Sequence, residues 1–455
     1  MRLKYIKQAG TFGPLLQVSP CYAMTVGMRK AFGRKLCFSQ MYLYYSQGYG
    51  ACYYLYKEAK KVGDWYLNQY LRESGFLQRE YKSWLADLKK MERMGPKPSD
   101  NKGFAKFYEL FINLWARSIV CEVYDEDVES RMAKLNKDYH LGLKAKELIA
   151  LISPKQISIQ LQFEKDLLQG LRSGAGIKRV AGQYYFLDVD YLTAIPLSLE
   201  KRLEEIKRRG LEKERERVEK LISNIKKEYS QKQEVKSKLA KEVRGVIDFF
   251  SLLVEWRDLR KKMHQAGSFY IWRYIFTHLK IPEDLRPYLV VQDYLNKEYL
   301  KQDFKQTLKQ RKKHCLISLD CAGKFGWFLE KREIENKIEQ LEKKEGTADQ
   351  LKGTPASWGT AKGRAKVINS AKDFPKMQKG DILIAPMTRP EYLPVMKLAS
   401  AVLTDEGGIT SHAAIVSREL NIPCIIGLKI ATKVLKDGDI IAINASHGSI
   451  KIIKH

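Results

Sequence analysis

Cysteine is scarce in this chain of 455 residues, and its seven cysteines are scattered, odd in number and without a C-x-x-C pair. A disulfide framework is therefore not expected, and reduced thiols fit a cytoplasmic protein. His314 and Cys315 with Cys321 are too sparse to predict a zinc site.

Long apolar runs are also missing. No stretch of about 18 apolar residues is present, and the N-terminus lacks the continuous apolar core of a signal peptide. We expect no membrane span. The phosphate-loop pattern G-x-x-x-x-G-K-[ST] is absent too, and Gly174-Ala175-Gly176 lacks the required spacing. No nucleotide site can be recognised from a glycine-rich loop.

Acidic residues are few relative to basic ones, 53 against 81, which gives a net charge of +28. Such a bias predicts attraction to polyanions, whether nucleotides, nucleic acid or acidic protein surfaces, without identifying which. The length predicts two or three domains, and a hydrophobic content of 44% is enough for a sizeable core.

The pattern along the chain predicts a multidomain α+β protein with a mainly helical N-terminal region. Residues 1–40 are ambiguous, because glycine and proline separate short apolar pieces that fit two strands or an irregular arm. Residues 38–150 have aromatic and apolar positions at helical spacing. Residues 181–187 suggest a short strand or a turn.

Residues 197–245 are highly charged, with a thin apolar seam at helical spacing. They predict one or two long amphipathic helices, interpreted as a solvated, charged helical arm. An RNA-binding face is the alternative. Residues 330–345 are rich in Lys and Glu and predict a helix end, which leads to a hinge at 346–352.

One histidine stands in a favourable position near the C-terminus. Residues 400–403 fit a short buried strand, and Gly407 and Gly408 supply a sharp turn. Ser411 is a good N-cap for a following helix, so His412 falls in its first turn. The unpaired N–H groups and the helix dipole favour an anion there, and an imidazole so placed suits covalent phosphoryl transfer.

These residues resemble a known family. Residues 407–414, then 418–423 and Gly427, are similar to the phosphohistidine mobile domain of phosphoenolpyruvate-utilising enzymes, a group that includes phosphoenolpyruvate synthase, pyruvate phosphate dikinase and rifampin phosphotransferase. Further matches fall in the same order at 353–359 with Gly363, at 380–385 and 388–391, and at 437–439 with Gly448. The resemblance covers about residues 350–455.

The resemblance implies that His412 accepts a phosphoryl group from a nucleotide-binding domain and, after the domain swings, delivers it to a second site. Gly407, Gly408, Thr410, Ser411 and Arg418 would bind or support the phosphoryl group. Thr410 also stands at the position that some relatives use for regulatory threonine phosphorylation. The alternative for Thr410 and Ser411 is that they serve only the turn and the helix cap. The alternative for Arg418 is that it is an exposed helix arginine with no contact to the phosphoryl group.

Two further expectations concern this motif. The loop with Thr388 and Arg389 could face the donor site. The ring of His412 is expected to titrate near neutrality, so that its nucleophilic form is available at about pH 7.

Relatives such as phosphoenolpyruvate synthase combine this domain with an ATP-grasp module and a TIM barrel, and neither is recognised in this sequence. The order of a helical region and then the phosphohistidine domain resembles the back part of rifampin phosphotransferase. Phenylphosphate synthase is a family precedent for donor and carrier domains on separate subunits. We therefore expect a separate ATP-grasp subunit as a partner and Mg²⁺ with ATP, whose site we do not see in this chain.

The sequence thus predicts a helical region at 1–345 for acceptor binding or subunit docking, a hinge at 346–352, and a swivelling β/β/α domain at 353–455. The predicted function is a phosphotransferase component that carries a phosphoryl group on His412 from a nucleotide or phosphoenolpyruvate to an acceptor such as a small molecule. The alternatives are a self-contained small-molecule kinase with an unrecognised ATP site, and a non-catalytic basic scaffold that binds nucleic acid.

Overall fold

The computed structural model describes most of the chain. The described residues are 5–10, 19–46, 49–73, 75–95, 100–123, 128–143, 147, 151–152, 157, 159–172, 176–184, 199–342, 351, 353–408, 411–445 and 448–454. Within them, no helix is both long enough and apolar enough to cross a membrane.

Helices dominate the N-terminal part, as predicted. In chain order they are α1 (Met28–Phe32), α2 (Tyr56–Arg72), α3 (Phe76–Met94), α4 (Asn101–Ser118), α5 (Val120–Val123), α6 (Val128–Asp138), α7 (Ile159–Arg172), α8 (Gly176–Gln183), α9 (Leu199–Arg209), α10 (Leu211–Ser237), α11 (Lys241–His278), α12 (Val291–Leu295), α13 (Phe304–Lys313) and α14 (Lys331–Glu342). A π-helical turn precedes α1 at Ala23–Gly27, and 3₁₀ turns occur at Arg34–Leu36, Glu283–Tyr288 and Glu298–Leu300.

An antiparallel sheet of five strands lies in the same part of the chain. Its strands are β1 (Tyr5–Gly10), β2 (Gln40–Ser46), β3 (Tyr49–Leu55), β4 (His314–Asp320) and β5 (Phe325–Phe328), in the order β1-β3-β2-β4-β5. Register pairs include Leu43 with Cys52 and Leu43 with Ile317.

This sheet corrects the prediction of helix from residue 38, which is wrong for residues 40–46 and 49–55. The segment is rich in tyrosine, which favours strands, and its strands become stable only when β4 pairs with β2 from far along the chain. The predicted strand or turn at 181–187 is also wrong at its start, where α8 extends to Gln183. The rest of that segment, from residue 185, lies outside the described residues.

The 38-residue helix α11 forms the centre of the helical part. It buries Trp256 against Trp84 of α3, with ring centroids 5.7 Å apart. At Gly267 a Cβ atom would lie 2.4 Å from the ring of Phe111, so the missing side chain lets α4 approach α11 closely. One helix therefore organises the packing of several others.

The charged segment forms α9 and α10, as the amphipathic pattern predicted. Its apolar seam packs on α7, where Val218 lies in a buried cluster with Leu161 and Leu168. An ion pair of 2.6 Å between Arg217 and Glu164 joins the same two helices. These helices are thus held against the rest of the helical part.

The C-terminal part contains a mixed sheet of seven strands. They are β6 (Thr354–Ser357), β7 (Thr360–Val367), β8 (Ile382–Ala385), β9 (Ala401–Thr404), β10 (Cys424–Ile426), β11 (Ile440–Asn444) and β12 (Ser449–Lys454). The order is β12-β11-β7-β8-β9-β10-β6, with β7 to β10 parallel to one another.

Short helices connect these strands. They are α15 (Leu393–Met396), α16 (His412–Glu419) and α17 (Ala431–Val434), with 3₁₀ turns at Ala371–Lys376 and Pro390–Tyr392. Strands β8 and β9 are buried along their whole length, as expected for parallel strands covered on both faces.

The two parts share buried surface. One continuous cluster of buried apolar side chains includes Trp256 and Ile271 of α11 together with Ala413, Ala414 and Val416 of α16. The helix that starts with His412 therefore belongs to a core that extends into the helical part. The hinge predicted at 346–352 lies almost entirely outside the described residues.

Candidate functional site

The candidate site begins where strand β9 ends. After Thr404 the chain turns, and α16 starts with His412 as its first residue. The Ser411 side chain caps the helix by accepting a hydrogen bond of 3.4 Å from the backbone N–H of Ala414. This is the order of strand, glycine turn and capped helix that the sequence predicted.

Gly407 and Gly408 shape the turn in different ways. Gly407 has a φ of +114°, a conformation that side chains rarely adopt, and a Cβ there would lie 2.9 Å from Ser411 Oγ. The carbonyl of Gly408 accepts a 2.8 Å hydrogen bond from the backbone N–H of Ser411. Both glycines therefore act on the helix cap. Thr410 lies outside the described residues.

A carboxylate that the sequence analysis did not single out secures the same turn. Asp405 is buried and accepts hydrogen bonds from the backbone N–H of Thr432, at 3.1 Å, and from the Thr432 hydroxyl. Burial raises the pKa of the Asp405 carboxyl, and these hydrogen bonds oppose the rise. The start of α17 is thereby tied to the loop that carries His412.

The imidazole of His412 is half-buried and is joined to the Thr388 hydroxyl by a hydrogen bond of 2.9 Å at Nδ1. Burial lowers the pKa of His412 to about 3, and the charges of Lys261 and Arg389 add to the effect. The expectation of a titration near neutrality is therefore wrong. The ring stays neutral well below pH 7 because it is desolvated and faces two cations.

Lys261 is a second residue at this site, besides Asp405, that sequence reasoning missed. It lies on α11, in the helical part, and its ammonium group acts electrostatically on His412. No local motif marks it, since it is one exposed lysine among many in a chain with 81 Lys and Arg. Only the packing of the two parts of the molecule brings Lys261 to His412.

The far end of α16 also faces the helical part. Burial and the nearby Glu164 carboxylate raise the pKa of Glu419, while the Arg217 guanidinium opposes that rise. Glu164 lies on α7 and Arg217 on α10, where the two form their ion pair. Both ends of α16 thus interact electrostatically with charged groups of the helical part.

Arg418 stands apart from the histidine. Its Nε donates a 2.8 Å hydrogen bond to the carbonyl of Ala356 in β6. It lies six residues beyond His412 along α16, which corresponds to about 9 Å of axial rise. The structure therefore places Arg418 where it ties the helix to the sheet.

The charges around His412 do not fit a resident divalent cation. The groups that act on it electrostatically are the cations Lys261 and Arg389. In the described part of the chain, no three His, Cys, Asp or Glu side chains are grouped closely enough to hold a metal ion. An oxyanion is the kind of group that this environment favours.

A capped helix on a buried parallel strand, with a neutral histidine at its first position, defines a histidine-bearing α/β domain suited to an anionic group. Residues 377–448 match the family model described as PEP-utilising enzyme, mobile domain. This part of the chain is thus a mobile domain of the phosphoenolpyruvate-utilising enzymes.

Curated relatives agree with that assignment. A probable phosphoenolpyruvate synthase of Archaeoglobus fulgidus is 50% identical over 121 residues, which is 27% of this chain and 16% of the relative. The phosphoenolpyruvate synthase of Aeropyrum pernix is 46% identical over 136 residues, 30% of this chain and 17% of the relative.

The uncharacterized phosphotransferase YvkC of Bacillus subtilis is 41% identical over 113 residues, 25% of this chain and 14% of the relative. The match thus spans less than a fifth of each relative's length. A solved structure of Enzyme I (nEIt) aligns over 72% of this chain and 80% of its own, at 17% identity and a TM-score of 0.18. That score is too low to indicate a shared overall fold.

Proposed function

We propose that this chain is a component of a phosphotransferase, in which His412 carries a phosphoryl group between a donor and an acceptor. The observation that carries the proposal is the state of the imidazole. It is neutral, half-buried, bonded through Nδ1 to Thr388, and faces Lys261 and Arg389. A neutral ring nitrogen beside cations is what an attack on a phosphate requires.

In the first step, Nε2 of His412 attacks the phosphorus of the donor. A new N–P bond forms, the bond between phosphorus and the leaving oxygen breaks, and that oxygen keeps the electron pair. Nδ1 keeps its proton and donates it in a hydrogen bond to Thr388 Oγ1. The transferred phosphoryl group adds one net negative charge, because its two anionic oxygens are partly balanced by the positive charge on a ring that keeps the Nδ1 proton. Lys261, Arg389 and the N–H groups of α16 stabilise those oxygens.

In the second step, an oxygen of the acceptor attacks the same phosphorus and the N–P bond breaks. The electron pair of that bond returns to Nε2, and His412 is again neutral. The low pKa of the free ring keeps His412 neutral after this step. The ring can then accept the next phosphoryl group, which a protonated imidazole could not.

The proposal assigns the moving unit to residues 353–455 and the hinge to 346–352. The helical region at 1–345 then binds the acceptor or docks a donor subunit. Electrostatic interactions at both ends of α16, and the buried apolar cluster that α16 shares with α11, support a docking role for α7, α10 and α11. With Lys261 in reach of His412, the helical region supplies part of the charge that the phosphorylated ring needs.

For the donor we propose a nucleotide, ATP, bound to a separate ATP-grasp subunit, with phosphoenolpyruvate at a site on another subunit as the alternative donor. Mg²⁺ would accompany the nucleotide on that subunit, where it would neutralise the phosphate charges. The residues around His412 are cationic and do not fit that ion, so no step of this chain's chemistry is routed through it.

The test is phosphate incorporation. The purified chain is incubated with β- or γ-labelled ATP and Mg²⁺, or with labelled phosphoenolpyruvate, each with and without cell extract. We expect an acid-labile label that disappears in His412→Asn and persists in His140→Asn. His140 is an exposed histidine with a φ of +49°, a conformation that asparagine tolerates, so this variant controls for the substitution itself.

The outcomes separate the alternatives. A label that requires extract supports a separate donor subunit. A label from purified chain and ATP alone would instead indicate a self-contained kinase with its own nucleotide site. If His412→Asn takes up as much label as the unmodified chain, or no condition labels the chain, the carrier role is wrong.

A further inference from the structure

The helical part holds a second cationic feature, a cavity of about 390 Å³ that no residue of 353–455 lines. Its walls come from α1, from the 3₁₀ turn that follows it, from α2 and from the turn between β4 and β5. The lining residues are Arg29, Arg34, Lys35, Leu36, Cys37, Ser39, Glu58, Lys61, Cys321 and Ala322. We name this feature the α1–α2 cavity.

The α1–α2 cavity carries an excess of positive charge. Arg29, Arg34, Lys35 and Lys61 line it against one carboxylate, Glu58. In the described part of the chain, none of these four cations has a carboxylate within 4 Å. Four positive charges gathered against a single carboxylate repel each other, so an anion that enters the cavity would be stabilised by all four.

Hydrogen bonds hold the walls in place without the help of a ligand. The Arg29 guanidinium donates a 3.0 Å hydrogen bond to the carbonyl of Cys321, and the backbone N–H of Cys321 donates to the Ser39 carbonyl at 3.1 Å. The Glu58 carboxylate accepts from the backbone N–H of Ser39 at 3.1 Å, so part of its charge is already directed away from a ligand. A preformed wall lowers the entropic cost of binding.

From this geometry we propose that the α1–α2 cavity binds a compact small molecule with a diphosphate or a comparable cluster of phosphate charges. Two guanidinium groups can grip phosphate oxygens in pairs, and two ammonium groups add point charges. The volume lies near the lower end of the range for small-molecule sites, which favours a compact ligand.

This proposal goes beyond the role of His412 and does not depend on it. A chain that binds diphosphate in the α1–α2 cavity would do so in the His412→Asn variant as well. Binding measured in this variant can therefore distinguish a failure of the carrier proposal from a failure of the diphosphate proposal.

The thiol of Cys321 can report whether the α1–α2 cavity is occupied. Cys321 is partly exposed, whereas the other six cysteines are buried. Burial and the neighbouring Cys321 raise the pKa of the Cys37 thiol to about 11, which keeps it in the unreactive protonated form. N-ethylmaleimide applied briefly to the folded chain should therefore modify Cys321, and Cys321→Ser should remove that label.

The experiment uses inorganic pyrophosphate as the probe, with ADP as a second diphosphate and adenosine as the uncharged comparison. We expect pyrophosphate and ADP, but not adenosine, to slow modification of Cys321 at least fivefold at saturation. Calorimetry should give the same dissociation constant for the unmodified chain and for His412→Asn.

A charge-matched pair of variants tests the lining. Arg34→Gln/Lys35→Gln/Lys61→Gln removes three cations from the cavity, and Lys220→Gln/Lys226→Gln/Lys227→Gln removes three exposed cations from α10. The first should weaken pyrophosphate binding at least tenfold and the second less than twofold, with circular dichroism confirming that both fold.

Three results would overturn the proposal. One is equal weakening in both triple variants, which would mean general attraction to a basic chain. Another is binding without protection of Cys321 in the unmodified chain, a measurement that needs no variant to fold. The third is no binding up to about 10 mM pyrophosphate, which leaves less than about 3 kcal/mol of binding free energy.

Discussion

In the proposed function, the imidazole of His412 has to be reachable by a donor and yet remain uncharged. The structure meets both conditions by leaving the ring half-buried, bonded at Nδ1 to Thr388 and close to two cations. The cations lower the pKa of the unphosphorylated imidazole and would stabilise the negative charge of the phosphorylated one. The same groups therefore favour both the nucleophile and the product of its attack.

The first prediction at this scale concerns the protonation of His412. Its pKa is lowered from about 6.5 to about 3, so the ring should stay neutral as the pH falls from 8 to 5. This shift affects the free energy of unfolding, because the unfolded chain would bind a proton at His412 below about pH 6.5 and the folded one would not. Stability should therefore decline as the pH falls from 6.5 towards 3.

Nitrogen-detected chemical shifts of the ring, assigned by their loss in His412→Asn, would measure the titration directly. A midpoint between pH 6 and 7 would show that the ring is solvated and would contradict the desolvation of His412.

The second prediction concerns Lys261. Lys261→Gln should lower the initial rate of His412 labelling by roughly 3- to 10-fold, because one of the charges facing the phosphoryl group is lost. Lys262→Gln is the matched control, since this neighbouring lysine pairs with Glu92 at 2.8 Å. Equal rates in the two variants would mean that Lys261 has no part in the transfer.

At the scale of elements, His412 is positioned by a buried strand that is followed by a sharp turn and a capped helix. Strand β9 is fully buried, Asp405 ties the turn to α17, and Ser411 caps α16. Rigid neighbours on both sides hold the first residue of α16 in a defined place. The helix is short, so its position depends on this packing more than on its own helical propensity.

Gly407→Ala tests the turn. The φ of +114° and the approach of a Cβ to Ser411 Oγ at 2.9 Å should together cost about 2–4 kcal/mol of unfolding free energy and displace the cap. Gly380→Ala is the control, because Gly380 also has a positive φ, +92°, but nothing within 4 Å of the added atom.

We expect the control to cost about 1 kcal/mol and to leave labelling of His412 intact. Denaturant unfolding and phosphate incorporation measure the two effects. If both variants lost the same stability and the same label, steric contact with the helix cap would not be what requires glycine at 407.

At the scale of the whole molecule, the two parts meet along α16. Its first residue faces Lys261 on α11, and its last faces Glu164 on α7 and Arg217 on α10. Apolar side chains of α16 join the same buried cluster as α11. The structure therefore represents a docked arrangement in which the histidine is turned towards the helical part.

Arg217→Gln tests this docking. Without the guanidinium, the carboxylates of Glu164 and Glu419 face each other without a counter-charge, so the two parts should separate more readily. Hydrogen exchange of backbone amides in α16 should accelerate. Arg215→Gln is the control, because Arg215 pairs only with Glu212 and Glu219 of its own helix among the ion pairs described.

Exchange in α16 that is equally slow in both variants would show that the charge contact with Arg217 does not hold the docked arrangement. Exchange that accelerates equally in both would point to a general loss of stability in α10.

The sequence predicted the order of strand, glycine turn and capped helix in the C-terminal part because the signal for these elements is local. The strand, the two glycines, the cap and His412 lie within about twenty consecutive residues, and each acts on its immediate neighbours. The long charged helices were predicted for the same reason, since helical periodicity is read within one segment.

The strands β2 and β3 were missed because their aromatic residues fit a helix as well as a strand until β4 is brought beside them. The same limit applies to the α1–α2 cavity, whose lining comes from segments around residues 29–39, 58–61 and 321–322.

The sequence by itself determined the position of His412, since its neighbours along the chain place an imidazole at a capped helix start wherever this segment folds. Only the tertiary structure decided the electrostatic setting of that imidazole. Thr388, Arg389 and Lys261 come from other segments, and the desolvation that lowers its pKa exists only in the folded chain. Burial and long-range charge depend on which surfaces meet, and no local pattern of residues encodes that.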